Sequence, residues 1–315
     1  MSAPELLKAV RLLSEGELVA IPTETVYGLA ANALDARAVA RIFEVKGRPH
    51  FDPLIVHAAN AERALALTVA PSRLAYRLAE RFWPGPLTLV LPKVQEVPEL
   101  VTSGLPSVAV RVPAHPLTLE LLGLFGGPVA APSANRFGRI SPTRPEHVRA
   151  ELGAAISLVL DGGPCVTGVE STILSLVGER PTLLRPGGTP LEAIEAVIGA
   201  VEVPAADPSH PLAPGQLPSH YAPRTPLLLG SPERPPAALG GRRGLLLVGP
   251  AREVSGFERV EVLSPTGDLR EAAAELFAAL RRLDEAGLTG ILAELAEEQG
   301  LGRAINDRLQ RASRR

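Results

Sequence analysis

Residues 4–22, PELLKAVRLLSEGELVAIP, decide how the fold begins. Leu6, Leu7, Val10 and Leu13 recur at helical spacing and Gly16 ends the run; residues 18–22 then form an apolar stretch that reads as a buried strand. The pattern continues outward. Asp35 is a candidate N-cap for a second helix that carries Ala38, Ile42 and Val45 and stops at Gly47. Short strands are expected at 54–57, 87–91, 108–112, 129–132, 156–160, 173–177 and 182–185. Helices are expected near 72–82, 117–125, 145–152 and 190–198. Together these predict an α/β fold with a large mixed, twisted sheet and flanking helices over residues 1–202.

From 203 to 226 prolines stand at 204, 208, 211, 214, 218, 223 and 226 with no periodic hydrophobicity, which disfavours regular structure and predicts an extended, semi-rigid linker. Residues 227–315 follow as a smaller α/β domain. Strands at 227–229, 244–248, 260–263 and 291–294 surround a long helix at 269–286, with a last helix at 303–311.

A chain of 315 residues with 46% hydrophobic content has enough apolar surface for two cores. No stretch approaches the roughly 20 apolar residues of a spanning helix, and the N-terminus lacks a secretory pattern, so no membrane association and a cytoplasmic location are expected. The one cysteine, Cys165, excludes an internal disulfide and a thiolate zinc site, and reads as a packed residue. A formal net charge of −2 speaks against nucleic-acid binding as the main task. Only three of the 32 basic residues are lysines, Lys8, Lys46 and Lys93, which draws attention to Lys46.

The Walker loop and the dinucleotide fingerprint are both missing, so phosphates need another cradle. Lys46-Gly-Arg-Pro49 puts two cations around a helix-ending glycine, suited either to one polyanion or to compensating the helix dipole. Pro132-Ser-Ala-Asn135 follows an apolar strand, where open α/β sheets bind ligands; an ordinary turn would use the same residues. Arg111 and Arg185 interrupt apolar surroundings and call for a ligand or an internal ion pair. His57 closes an apolar strand, where a structural role is the commoner one. The polar groups of Pro22-Thr-Glu-Thr-Val-Tyr-Gly28 need a ligand or a tight turn to satisfy them.

Taken together, these segments resemble the threonylcarbamoyl-AMP synthase family in its long form with a YrdC-like domain. The matches are Ile21-Pro-Thr-Glu-Thr-Val-Tyr-Gly-Leu29, Lys46-Gly-Arg-Pro49, Pro53-Leu-Ile-Val-His57, Ser107-Val-Ala-Val-Arg-Val-Pro113, Pro132-Ser-Ala-Asn135, Ser171-Thr172, Leu184-Arg-Pro-Gly187 and His220-Tyr-Ala-Pro223. The resemblance implies an N-terminal YrdC-like catalytic domain and a Rossmann-like C-terminal one. The implied activity is that of a nucleotidyltransferase making threonylcarbamoyl-AMP and pyrophosphate from L-threonine, bicarbonate and ATP, with Mg2+ on the ATP, for tRNA modification.

The resemblance also implies site residues: Thr25, His57, Arg111, Ala131 and Ser171 for threonine, with Arg111 on its carboxylate. For ATP it implies Lys46, Arg48, Asp52, Ser107, Ser133, Asn135, Ser141, Arg185 and Tyr221, of which Lys46 and Arg48 neutralise charge in the transition state. No metal-ligating set is expected. One departure falls among these positions: the family commonly has Asp-Asn-Pro where this chain has Phe51-Asp52-Pro53, so an acid replaces an amide and calls for metal-mediated contact. Residues 213–219 also depart from the family's usual linker.

Implied partners are downstream threonylcarbamoyl-transfer proteins, with weak RNA binding as an adjunct. The rival readings are a double-stranded RNA-binding module and a carbamoyl-phosphate-dependent enzyme. For the linker, the expectation is a lid that lays Tyr221 over the nucleotide; the alternative is a spacer.

Overall fold

The computed structural model describes residues 3–204, 212–217, 219–237 and 239–314. The chain opens with α1 (Ala3–Ser14), β1 (Val19–Ile21), β2 (Gly28–Asn32), α2 (Ala36–Lys46), β3 (Ile55–His57), α3 (Ala61–Leu65) and α4 (Arg73–Phe82). It continues through β4 (Leu87–Pro92), α5 (Glu99–Thr102), β5 (Ser107–Arg111), α6 (Pro116–Phe125), β6 (Val129–Ala130), α7 (Pro145–Leu152), β7 (Leu158–Val159), β8 (Thr172–Ser175), β9 (Thr182–Arg185) and α8 (Leu191–Ile198). The strands make one mixed nine-stranded sheet in the order β7-β1-β2-β6-β3-β5-β4-β8-β9.

Strand β2 is absent from the sequence reading because Gly-Leu-Ala-Ala-Asn has little β propensity; its pairing with β1 and β6 in the sheet overrides that. Helices α3 and α5, of five and four residues, are too short to show a period. By contrast α2 forms where its caps dictate. The Asp35 carboxylate accepts from the Arg37 and Ala38 amides, and Gly47 closes the helix at φ 61°. Asp35→Ala should cost about 1 kcal/mol.

Period-2 alternation sorts the central strands into two faces. Val56, Val110, Leu89 and Leu91 point to the core under α2, α4 and α8, which contribute Ile42, Phe43, Leu78 and Ile194. On the other face Ile55, Ala109, Val90 and Ile173 form a small apolar patch capped by the fully buried Ala213 of the linker. His57 and Arg111 continue that face two residues along β3 and β5, so the alternation that builds the core also turns both polar groups toward the linker.

The C-terminal domain is a four-stranded parallel sheet, β10 (Leu227–Leu229), β13 (Gly290–Ala293), β11 (Arg243–Leu247) and β12 (Arg259–Val262) in spatial order. Helices α9 (Leu269–Asp284) and α10 (Gly302–Ala312) cover one face. Their core is continuous with the first domain: Val26, Ile140 and Val169 lie in the same cluster as Leu276, Phe277 and Leu280. At this junction Ala273 and Ala274 press on Gly168, where an added Cβ would meet backbone at 2.3 Å. In the linker, residues 205–211 and 218, on which part of the expected extended tether falls, lie outside the described residues. Its described parts pack on both domains, with Ala222 N donating to Gly138 O at 2.9 Å and Thr225 N to Asp284 Oδ1 at 2.7 Å. No helix among the described residues is long and apolar enough to cross a membrane.

Candidate active site

A cavity opens on the linker-facing side of the sheet, between the loop after β1, the ends of β3 and β5, and the turn after β6. Pro214, Gly215, His220 and Tyr221 of the linker close over it. The space left inside is about 50 Å³, room for a few waters.

All five residues expected to hold threonine line this cavity: Thr25, His57, Arg111, Ala131 and Ser171. Thr23 shapes the loop, its hydroxyl accepting from the Thr25 and Val26 amides in a tight turn. Arg111 is buried and donates to Glu24 Oε1 at 2.6 Å, Thr25 Oγ1 at 3.1 Å and Gly85 O at 3.0 Å. Both alternatives for Arg111 are thus realised, an internal ion pair at the wall of a ligand cavity. His57 stands beside Arg111 in register. Burial, then the Arg111 charge, push its imidazole down to about 3, so it is neutral at physiological pH. Ser171 Oγ shares a hydrogen bond with Thr88 Oγ1 at 2.8 Å.

Of the expected nucleotide residues, Arg48, Ser133, Arg185 and Tyr221 line the same cavity. Arg185 donates through Nε and Nη2 to Ser171 O, through Nη1 to Pro214 O and through Nη2 to Ser171 Oγ, so its partners are carbonyls and one hydroxyl, with no carboxylate among them. Lys46 has the same kind of partners, Ser133 O at 2.6 Å and Asn135 O at 2.5 Å. Its ammonium therefore pins the Pro132–Asn135 turn rather than the end of its own helix. Carbonyls satisfy hydrogen bonds without cancelling charge, so the field of each cation is offset only by carboxylates that it does not bond, among them Asp52 and Glu151 for Lys46 and Glu170 for Arg185. Burial, then the Arg48 charge, drive the Lys46 ammonium well below its ordinary value.

The remaining expected residues stand outside the cavity lining. Lys46 lies behind Ser133. Asp52 is sealed against Arg48, Oδ2 to Nη2 at 2.9 Å. Ser141 donates to Glu170 Oε1 at 2.5 Å, and Asn135 Nδ2 donates to the Arg136 and Arg139 carbonyls. Ser107 starts β5, the strand that Arg111 ends, which places it roughly 13 Å from the threonine side. Cys165 is buried, its thiol pushed up to about 12 by that burial, and is inert at neutral pH.

Comparison with known proteins adds to this geometry. Residues 11–187 match the family model described as Telomere recombination, and residues 189–314 match the one described as Threonylcarbamoyl-AMP synthase, C-terminal domain. The threonylcarbamoyl-AMP synthase of Pyrococcus abyssi is 45% identical, the alignment covering 97% of this chain and 93% of the relative. That of Bacillus subtilis is also 45% identical, over 98% of this chain and 93% of the relative. The solved structure of P. abyssi Sua5 complexed with L-threonine superposes with a TM-score of 0.91 at 44% identity, over 98% of this chain and 94% of that one. The chain belongs to the threonylcarbamoyl-AMP synthase family.

In this member of the family the site holds groups to which the sequence reading gave no site role of their own. Glu24 pairs with Arg111 and accepts the Ala114 amide, and Glu170 and His220 line the cavity. The signal for Glu24 was a lone acid between two threonines at a strand end. For Glu170 it was an acid directly before Ser171. Gly187 explains the family's Arg-Pro-Gly: an added Cβ would meet Glu170 O at 2.3 Å, so only glycine lets this loop press against Glu170 and Ser171.

Proposed function

We propose that this protein condenses L-threonine, bicarbonate and ATP into threonylcarbamoyl-AMP, releasing pyrophosphate. The observation that carries this reading is the convergence of Thr25, His57, Arg111, Ala131 and Ser171 with Arg48, Ser133, Arg185 and Tyr221 on one cavity. Arg111 offers a fixed fork for the amino-acid carboxylate, and Glu24 and Gly85 hold that fork in place. Neutral His57 beside it adds no second charge next to Arg111. Threonine's neutral amine adds to the carbon dioxide that bicarbonate yields on losing hydroxide, and the proton lost from nitrogen combines with that hydroxide as water. A carbamate oxygen then attacks the α-phosphorus, and the bond to the bridging oxygen breaks so that pyrophosphate leaves with the electron pair.

The protein's part in this reaction is position and charge. Arg48 and Arg185 face the developing phosphate charge from the cavity wall, and Lys46 adds its charge from behind Ser133. Among the described residues there is no group of three His, Cys, Asp or Glu side chains that could hold a metal ion. Magnesium would arrive on the triphosphate, where it shields phosphate charge; Asp52, sealed against Arg48 and outside the cavity lining, is not placed for the metal-mediated contact expected of it. The product is the activated precursor for threonylcarbamoyl transfer to tRNA, so proteins carrying out that transfer are the expected partners. The buried, inward-facing cations favour this reading over an RNA-binding module, which needs them on the surface.

The test is pyrophosphate release by purified protein, with mass spectrometry of the product. Release should require ATP, threonine and bicarbonate together. Equal release without threonine would overturn the reading.

A further inference from the structure

Arg308 sits on α10, at the far end of the chain, yet its side chain has no solvent exposure and is buried against the first domain. Its Nε donates to Glu170 Oε2 at 2.7 Å and its Nη1 to Pro186 O at 2.9 Å. Its guanidinium carbon lies 5.2 Å from the centre of the Tyr221 ring, within cation–π range. Glu170 and Tyr221 both line the cavity. The other oxygen of Glu170 takes the Ser141 hydroxyl at 2.5 Å, so the carboxylate is fixed at both ends. Asp307 accepts from Arg308 and from Arg311, and Arg311 donates to Leu217 O at 2.6 Å. One turn of a C-terminal helix thereby grips the cavity wall, the ring over the cavity and the linker.

Resting on the activity proposed above, we infer that Arg308 is a positioning residue for the ATP half of the site, and that the C-terminal domain serves the reaction through this grip. Two consequences of losing Arg308 fall on the nucleotide side. Glu170 would remain as an uncompensated carboxylate in the wall where a polyanion must sit. Tyr221, held at φ 63° in the left-handed region that a non-glycine residue disfavours, would lose the cation over its ring and relax. On the threonine side Arg111 rests on Glu24, Gly85 and Thr25, none of which Arg308 touches, and Ser171, which follows Glu170, has its hydroxyl held by Thr88.

A plain interdomain latch would look different. Arg281 is such a latch: it crosses from α9 to Glu151 at 3.1 Å and to the Ile140 carbonyl, with its side chain 10% exposed, and neither partner lines the cavity. It is the control for burial and for domain contact without the link to the site.

The experiment uses the full chain and compares wild type with Arg308→Lys, Arg281→Gln and the double variant Glu170→Gln/Arg308→Met. The double variant removes both charges at once and leaves no orphaned ion to prevent folding. Arg308→Lys should raise KM for ATP about tenfold while calorimetric threonine affinity stays within about twofold. The Ala222 amide should exchange about tenfold faster, with Val56 and Val110 unchanged. The double variant should fold and share the ATP defect. Arg281→Gln should lower the melting temperature and leave KM for ATP alone.

The inference is overturned if Arg308→Lys keeps wild-type KM and Ala222 exchange. It is also overturned if the Arg308 and Arg281 variants change both readouts alike. If wild type releases no pyrophosphate, the proposed activity fails on its own, while Ala222 exchange and calorimetric binding of a non-hydrolysable ATP analogue still decide the role of Arg308.

Discussion

Arg48 and Asp52 form an ion pair sealed from solvent, 2.9 Å apart, with 4% and 0% of their side chains exposed. Arg48 also donates to the Asp52 and Pro53 carbonyls, so it does not depend on the carboxylate alone. At the position where the family commonly has an amide, this chain carries a negative charge next to a cation that serves the nucleotide.

Asp52→Asn keeps the shape of the side chain and both carbonyl acceptors of Arg48, and removes that charge. KM for ATP should fall about threefold to tenfold, the effect of roughly 1 kcal/mol of repulsion removed. Stability should fall by about 1–3 kcal/mol, because Arg48 keeps its carbonyl partners but loses its counter-ion. Pyrophosphate-release kinetics and thermal melts check both. A raised KM would show that Asp52 helps to hold the nucleotide.

His57 makes stability depend on pH with a definite sign. Its folded-state value is about 3 against an ordinary 6.5, so between those values the unfolded chain binds a proton that the folded one refuses. Stability should therefore fall as pH drops through that window, by up to about 1.4 kcal/mol per pH unit for this ring. His220, buried among Arg48, Lys46, Arg185 and Arg308, is depressed by burial first and acts in the same sense. His57→Asn should flatten the dependence of unfolding free energy on pH between 4 and 6. An unchanged slope would mean that the ring is protonated in the fold.

Lys46 and Arg185 are cations held by carbonyls, so replacing either leaves no buried carboxylate without its partner. Lys46→Met and Arg185→Met should cost about 1–3 kcal/mol in stability, from carbonyls losing donors. They should lower kcat/KM for ATP by about a hundredfold or more, the usual scale for a lost charge stabiliser in a dry site. Steady-state kinetics and melts separate the two effects. Near-normal turnover in Lys46→Met would reduce Lys46 to a pin for the Pro132–Asn135 turn.

How far the sequence carried this picture depends on whether a feature is local. The α2 caps, Asp35 and Gly47, are local devices and were legible to the residue. The strands bearing His57, Arg111 and Arg185 were legible as apolar runs. Strand β2 was not, since its alanines and glycine are made extended by the pairing on either side. Arg308 was not either: the spacing of Ile305, Leu309 and Ala312 puts it on the inner face of its helix, but the cavity-wall groups it holds lie more than a hundred residues away. Ser107 and Ser141 came only from family resemblance, and the geometry sets them apart from the cavity lining.

The last expectation concerns Gly215, the linker residue that lies against Tyr221. Its φ is +80°, and an added Cβ would fall 2.8 Å from Tyr221 Oη and 3.2 Å from Arg185 Nη1. Both the backbone conformation and the space thus require glycine. Tyr221 Oη is buried with no hydrogen-bond partner, and burial followed by the Glu170 charge pushes its phenol up to about 12, so it stays a donor facing the cavity. Gly215→Ala cannot be absorbed by a flexible side-chain end alone, because Arg185 is anchored on Pro214 O and Ser171 O. The linker must lift instead. If the linker is a lid, the variant should bind threonine normally and turn over ATP, but release threonylcarbamoyl-AMP to hydrolysis faster than it accumulates, because both the carbamate and the mixed anhydride decay once water enters. Pyrophosphate should then exceed intact intermediate by several-fold, where wild type gives near parity, and Ala222 should exchange faster. Equal yields of pyrophosphate and intermediate in Gly215→Ala, with the linker shown by exchange to be loosened, would make the linker a spacer and leave the protection of the intermediate to the walls of the cavity.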